Sequence, residues 1–355
     1  MKIGILTFHR ACNLGGILQC YALAHYLECK GLNVEVIDYH SVAIDSAYKL
    51  IDTNSLRSFI GSLFRLNSNY RIKKNFRDFV INYIPVSHKE YKTPQELKDE
   101  YDIIFIGSDQ VWSKRLNHGF DPFFWGEIPG SQRIVSYAAS MGTDHSFSNK
   151  ENEQISHYLN NFFAISVRED SLKKELSRLT EKNILTTIDP TLLLSTDDYQ
   201  QLALFPPNKR YVLYYQMEYN PSSKLRVSEV AKDLNCEIVV IGGGKEDYHA
   251  KTTFLTTAQV SPRLFIGYIL NAQCVFASSF HGVALSIAMK KDFYFLANYE
   301  TDRADNLLKY VGLIERRINS NEKINFSIID YTIVNPKLDS FVKQSKDFIS
   351  DSIKE

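Results

Sequence analysis

The sequence predicts an α/β fold of two Rossmann-like, doubly wound domains facing each other. Three observations lead there. The chain has 355 residues, too many for one ordinary core and suited to two domains of about 150 to 200 residues each. Short apolar runs alternate with stretches of helical spacing through most of its length, the pattern of parallel strands joined by helices. The runs close on polar or small clusters, and such clusters form a rim over the carboxyl ends of a parallel sheet, where this architecture binds ligands.

The first apolar run covers residues 2–8. Asn13-Leu14-Gly15-Gly16 follows, then Ile17, Tyr21, Ala24 and Leu27 at helical spacing, and residues 34–38 give a second strand. This strand, glycine turn, helix, strand unit places Asn13, Gly15 and Gly16 in a loop at the cleft side of the sheet. Residues 41–92 break the alternation. Lys49, Arg57, Arg65, Arg71, Lys73, Lys74, Arg77, Lys89 and Lys92 stand there among Phe59, Phe64, Tyr70, Phe76, Phe79 and Tyr83. The composition suits amphipathic helices whose basic face rests on anionic lipid headgroups beside a lipid-linked acceptor. It also describes solvated helices packed on a sheet edge, the more ordinary arrangement.

The alternation resumes at residues 101–106, a strand ending in Gly107-Ser108-Asp109-Gln110. Strands follow at 133–138, 163–167 and 183–188. They close on Ala139-Ser140-Met141-Gly142, Arg168-Glu169-Asp170 and Asp189-Pro190-Thr191. These clusters read as cleft loops, though Asp-Pro and Ser-Gly steps also make plain turns.

After Thr196-Asp197-Asp198 a second series begins, with strands at 210–216, 237–241 and 274–277. Leu225, Val227, Val230, Ala231 and Leu234 mark one face of a helix over 223–234. The expected organisation is an N-terminal Rossmann-like domain over 1–195 with a basic helical insertion near 41–92, and a second domain over 196–337. A closing helix over 338–355 crosses back to the first domain. In the second domain Ser278-Ser279-Phe280-His281-Gly282 joins a strand to a small-residue helix. Backbone amides at such a helix start bind anions. His281 there is a donor or proton shuttle, or a structural histidine. Gly242-Gly243-Gly244-Lys245 lacks the P-loop spacing and the Gly-x-Gly-x-x-Gly pattern, so it reads as a cleft loop or a surface turn.

Composition narrows the function classes. Lys plus Arg equals Asp plus Glu at 41 each, so no global field draws nucleic acid to the chain. The five cysteines, Cys12, Cys20, Cys29, Cys236 and Cys274, fall at no zinc-ligand spacing and suit free thiols in a reducing compartment. The apolar start meets Thr7, His9 and Arg10 too soon for a signal peptide. No run of about 18 apolar residues occurs. The expected location is the cytoplasm, with peripheral membrane contact if the basic helices rest on lipid.

Six motifs carry a family resemblance. They are Asn13-Leu14-Gly15-Gly16 leading into Leu18-Gln19-Cys20-Tyr21-Ala22-Leu23, Gly107-Ser108-Asp109-Gln110-Val111-Trp112, Ser136-Tyr137-Ala138-Ala139-Ser140-Met141-Gly142, Val167-Arg168-Glu169, Asp189-Pro190-Thr191-Leu192 and Ser279-Phe280-His281-Gly282. In this order the series resembles the polysaccharide pyruvyl transferase family. The resemblance implies two Rossmann-like halves similar to the glycosyltransferase-B type, phosphoenolpyruvate as donor, and a sugar of a surface polysaccharide or its lipid-linked precursor as acceptor. It implies a cyclic pyruvate ketal as product, and neither a metal nor a nicotinamide cofactor.

Such a donor is strongly anionic and needs cations and backbone donors. Arg168 is the expected clamp in the first domain, unless it pairs with Glu169 or Asp170. Ser279, His281 and Gly282 form the expected second anion site, with Arg303 beside it as another recurrent position. Protonating the enol methylene and accepting a proton from the sugar hydroxyl require an acid and a base. His281 is the expected acid. Asp109 is the group expected to orient or deprotonate the acceptor, or else a helix cap. Trp112, Tyr137 and Trp125 are candidates for stacking on sugar, or core. One departure stands out: Ser279 occupies a position where related sequences often carry Arg. Arg303, Lys245 or Arg10 would then supply the missing charge. A glycosyltransferase using a nucleotide sugar is the rival on the same frame, and a non-catalytic scaffold for polysaccharide assembly is a second.

Overall fold

The computed structural model describes residues 1–51, 55–143, 147–207, 209–217, 221–243, 248–296, 302–319 and 323–354. In chain order the elements begin with β1 (Lys2–Leu6), α1 (Leu14–Glu28), β2 (Asn33–Tyr39) and α2 (Val42–Ala47). Two helices, α3 (Leu56–Phe64) and α4 (Leu66–Tyr83), precede β3 (Val86–Tyr91), β4 (Ile103–Ile106) and α5 (Lys114–Asn117). Then come β5 (Arg133–Ala139), α6 (Asn149–Leu159), β6 (Ala164–Val167), α7 (Asp170–Leu176), β7 (Ile184–Thr186) and α8 (Thr196–Leu202). The second series runs β8 (Tyr211–Gln216), α9 (Pro221–Asp233), β9 (Glu237–Gly242), β10 (Thr252–Leu255), α10 (Pro262–Asn271) and β11 (Cys274–Ala277). It continues with α11 (Phe280–Ala288), β12 (Phe293–Phe295), α12 (Asp302–Val311) and α13 (Tyr331–Ile353).

The strands form two parallel sheets. One has seven strands in the order β3-β2-β1-β4-β5-β6-β7, the other five in the order β10-β9-β8-β11-β12. Both orders reverse direction in mid-sheet, between β1 and β4 in the first and between β8 and β11 in the second. Such a reversal sends the flanking helices to opposite faces and opens a crevice at the strand ends. The α/β, two-Rossmann-like reading of the sequence is therefore correct.

The residues group into two compact units. The first holds residues 1–49, 80–193 and 340–355, the second 50–79 and 194–339. The helices read from sequence as an insertion in the N-terminal half thus divide, with α3 and most of α4 counted in the second unit. Among the described residues no helix is long and apolar enough to cross a membrane.

Central strands are apolar on both faces because helices cover both, which is why Ile103–Ile106 reads Ile-Ile-Phe-Ile and is buried throughout. The first core gathers Trp112, Trp125, Phe123, Phe124 and Phe162 under the sheet. Trp112 and Trp125 stack with ring centres 4.6 Å apart, and the Trp112 indole N–H donates to the Phe124 carbonyl at 2.6 Å. Tyr137 is also wholly buried, its hydroxyl donating to the Ile188 carbonyl at 3.0 Å. None of the three rings reaches a surface where a sugar could stack, so of the two readings the core one holds. Their area is used in the core.

The end of α13 is fixed within the first unit. The Ile188 amide donates to Ser345 Oγ at 2.8 Å, and Gln344 Nε2 donates to the Thr186 carbonyl at 3.0 Å.

Candidate active site

In the first unit the loops after β1 and β4 meet where the strand order reverses. Thr7 Oγ1 donates to the Ser108 carbonyl at 2.9 Å and accepts from Gln19 Nε2 at 3.0 Å. The Gln19 amide also donates to the Gly16 carbonyl at 2.9 Å. Asn13 caps α1, its Oδ1 accepting from the Gly16 amide at 2.9 Å, which satisfies one of the four free donors of a helix start. Gly15 and Gly16 lie inside the first turn.

Gly16 has a specific reason to be glycine. A Cβ there would stand 3.0 Å from Asp109 Oδ2, so its absence lets that carboxylate rest against the positive end of α1. Asp109 has left-handed backbone, φ 73°, a conformation Asp tolerates better than most residues. Its carbonyl accepts from the Ser140 amide at 3.0 Å. Asp109 is not the cap of a following helix, since Ser113 caps α5. The preceding Gly107 has φ 113°, and a Cβ on it would meet the Tyr137 carbonyl at 2.5 Å.

Arg168 sits just past β6, and its surroundings differ from those the sequence suggested. Its Nη2 pairs with Asp189 Oδ2 at 2.8 Å, with side chains 2% and 0% exposed, and it also donates to Ser108 Oγ. Neither Glu169 nor Asp170 is this partner. Glu169 instead accepts from Ser140 Oγ, and Asp170 accepts from Thr186 Oγ1 at 2.6 Å. The structure gives a buried guanidinium matched by a carboxylate, where the sequence expected one open to the donor. Ser108 and Ser140, read as cleft loops, are both wholly buried and brace the rim from beneath. The pairing follows from topology: β6 and β7 are neighbours with Val167 opposite Thr186, which sets the residues beyond them side by side. Complementary charges at the ends of two consecutive apolar runs were the available signal.

A second cluster lies at the ends of β1, β2 and β3. Asp38 receives the Arg10 guanidinium in a two-pronged contact, 2.7 and 2.8 Å, with His9 Nε2 at 2.9 Å. Among the described residues, Asp38, His40 and Glu90 bring ligand atoms within 4.8 Å of one another. Arg10 already supplies positive charge there, 3.7 Å from Glu90. Arg10, a candidate replacement clamp, thus lies among acidic partners in the first unit. Burial alone would raise the Asp38 carboxyl, but the His9 and Arg10 hydrogen bonds outweigh it and hold the group down at about 2. A carboxylate depressed in the folded state stabilises above its unfolded pKa of ~4, and that contribution disappears as pH falls through about 2. Arg10→Ala is therefore expected to start acid unfolding at a higher pH than wild type, read by circular dichroism along a pH titration. Coincident titrations would contradict this.

In the second unit the site is built on the start of α11. Ser279 caps the helix, its Oγ accepting from the Gly282 amide at 3.3 Å. The neighbouring Ser278 Oγ accepts from the Met217 amide at 2.8 Å, tying this loop to the end of β8. Gly282 is required by packing, since a Cβ would lie 2.6 Å from Ala277 Cβ and 3.1 Å from the Tyr215 ring. His281 is buried in this first turn, its ring edge-on to Phe280 with centres 5.2 Å apart. Arg303, in the first turn of α12, places its guanidinium 5.7 Å from the centre of the Phe280 ring, a cation–π arrangement. Arg303, one of the cations considered as substitutes at Ser279, thus lies beside the helix start. Lys245 and Gly244 fall outside the described residues. Gly242 and Gly243 pack against Gln216, where a Cβ on Gly242 would meet its carbonyl at 2.4 Å.

Each unit thus presents chemistry at the reversal point of its own sheet, a carboxylate in the first and a capped helix start with His and Arg in the second.

Comparison with known proteins agrees with the motif order. The sequence model of the family described as polysaccharide pyruvyl transferase matches residues 13–300. No curated protein matches the chain. Solved structures that resemble it include UDP-GlcNAc 2-epimerase from Neisseria meningitidis bound to UDP-GlcNAc, at 10% identity and TM-score 0.46, covering 100% of this chain and 95% of that one. The glycosyltransferase SnogD from Streptomyces nogalater aligns at 11% identity and TM-score 0.43, covering 99% of each chain. The E. coli heptosyltransferase WaaC with ADP-2-deoxy-2-fluoro heptose aligns at 12% identity and TM-score 0.39, covering 85% of this chain and 91% of that one. With the family match spanning the loops that carry Asp109, Arg168 and His281, the chain belongs to the polysaccharide pyruvyl transferase family.

Proposed function

We propose that this transferase moves a pyruvyl group from phosphoenolpyruvate to a sugar of a surface polysaccharide or its lipid-linked precursor, forming a ketal. The observation that carries the reading is the α11 start, where a Ser279 cap, the buried His281, Gly282 and the Arg303 guanidinium stand together. An anion with two charged ends fits such a group, because amides at a helix start and a guanidinium both bind oxyanions. The Asp109 carboxylate at α1 repels an anionic donor and suits a neutral sugar.

In the reaction the enol methylene gains a proton from His281 and becomes a methyl group, and the adjacent carbon takes the oxygen of one sugar hydroxyl. A second hydroxyl of the same sugar bonds to that carbon as phosphate leaves. The two hydroxyl protons balance the one taken up at the methyl and the one carried off by phosphate. Asp109 orients or deprotonates the acceptor. Arg168 acts through Asp189 and Ser108, holding the loop that carries Asp109.

Thermal shift and calorimetry test the donor. Phosphoenolpyruvate is expected to stabilise the protein and a nucleoside diphosphate to leave it unchanged. Arg303→Ala is expected to weaken phosphoenolpyruvate binding roughly 10- to 100-fold, the size of a charge-assisted hydrogen bond. Stabilisation by the nucleotide alone would replace the donor reading with the nucleotide-sugar one.

A further inference from the structure

Helices α3 and α4 bear an exposed face that neither candidate site uses. In α3, Phe59, Ile60, Leu63 and Phe64 are all exposed, Phe64 at 88%. They fall at i, i+1, i+4 and i+5, one side of a helix, while Ser62 on the other side is buried. The apolar strip continues into α4 through Leu66 and Tyr70, the latter 59% exposed. From there the same face turns basic: Leu66, Tyr70, Lys74, Arg77 and Ile81 follow one another at steps of four, four, three and four, all exposed. Phe76 and Phe79 are buried on the opposite side, and Asn75 Nδ2 donates to the Ala258 carbonyl at 3.1 Å. The outward orientation of α4 is therefore fixed by its inner contacts. Residues 55–83 contain Arg57, Arg65, Arg71, Lys73, Lys74 and Arg77 against the single acid Asp78, in a chain whose 41 bases and 41 acids balance overall.

Large exposed apolar groups beside concentrated positive charge are costly to leave in water and match one kind of surface. The geometry points to a docking face for an anionic lipid bilayer. Phe59, Ile60, Leu63 and Phe64 of α3 enter the boundary between headgroups and acyl chains, and Arg71, Lys74 and Arg77 lie among the anionic headgroups. A second copy of this chain would bring the same positive charges together, which disfavours self-association through this face. This deepens the proposal of a lipid-linked acceptor by naming where the enzyme meets the lipid, and its test is independent of turnover.

Full-length protein would be sedimented with vesicles of phosphatidylcholine alone and with vesicles containing phosphatidylglycerol. Binding is expected only to the anionic vesicles, and to fall with added salt. Lys74→Ala with Arg77→Ala should weaken it roughly 30-fold, about fivefold per charge, and Phe64→Ser roughly tenfold. These side chains are exposed, so melting temperatures and turnover of a soluble aryl glycoside should stay at wild-type values in both variants. Equal binding to both vesicle types, or variants that bind like wild type, would overturn the proposal. So would a dimer that Phe64→Ser converts to monomer without any vesicle binding, which would make the face a contact between copies. Anionic vesicle binding that the variants lose, in a protein that turns over no glycoside, would support the docking face while removing the donor reading.

Discussion

His281→Gln is expected to lower the rate of pyruvyl transfer at least ~100-fold, the usual contribution of a positioned general acid. Glutamine keeps a hydrogen-bonding side chain of similar reach but has no proton to exchange near neutral pH. His281 lies in the first turn of α11, held by the Ser279 cap on one side and the close contact of Gly282 with Ala277 and Tyr215 on the other. Its place is therefore set by backbone packing that the substitution leaves intact. Phosphoenolpyruvate affinity and melting temperature should change little while kcat falls, and the pH dependence of kcat should lose one limb. A histidine with only a packing role would give the reverse, a lower melting temperature and nearly unchanged turnover.

Arg168→Ala should show its largest effect in stability. The guanidinium and the Asp189 carboxylate are both almost wholly buried, and removing one partner of such a pair costs about 3–5 kcal/mol because the other charge is left in a poorly solvating interior. Asp189 also accepts from the Thr191 amide and hydroxyl, at 3.0 and 2.6 Å, so the damage extends to the turn after β7. Replacing both, Arg168→Met with Asp189→Leu, removes the stranded charge and should recover part of the loss. Chemical denaturation of the single and double variants measures this. A stable Arg168→Ala protein that has lost only donor affinity would return Arg168 to the role of clamp.

All but β7 of the strands legible in the sequence lie inside a sheet. Residues 274–277 and 133–138 read as apolar runs because helices bury both their sides, and they appear as β11 and β5. The three strands not foreseen, β3, β10 and β12, are all sheet edges. β3 reads Val-Ser-His-Lys-Glu-Tyr, and edge strands carry such charge because one side of their backbone faces solvent. α13 was expected from residue 338 but begins at Tyr331 and takes Pro336 within it, against the usual helix-breaking tendency of proline. The site was legible at the level of loops and less so at the level of partners. The helix start after β11 and the loop position of Asp109 follow from local chemistry, whereas the helix begins three residues earlier than read, with Ser279 as its cap. The Arg168–Asp189 pair depends on which strands are neighbours, and the Arg10–Asp38 contact on the ends of β1 and β2 lying side by side. Neither is a local property of the chain. Trp112, Trp125 and Tyr137 show the converse: their type suits a sugar platform, and only burial assigns them to the core.

Purified protein would be incubated with phosphoenolpyruvate and a panel of aryl glycosides and lipid-linked glycans, with phosphate release and glycan mass followed together. Phosphate is expected to be released mole for mole with a pyruvyl gain on one glycan, at two hydroxyls of the same sugar. Turnover of a nucleotide sugar with no phosphate from phosphoenolpyruvate would contradict it.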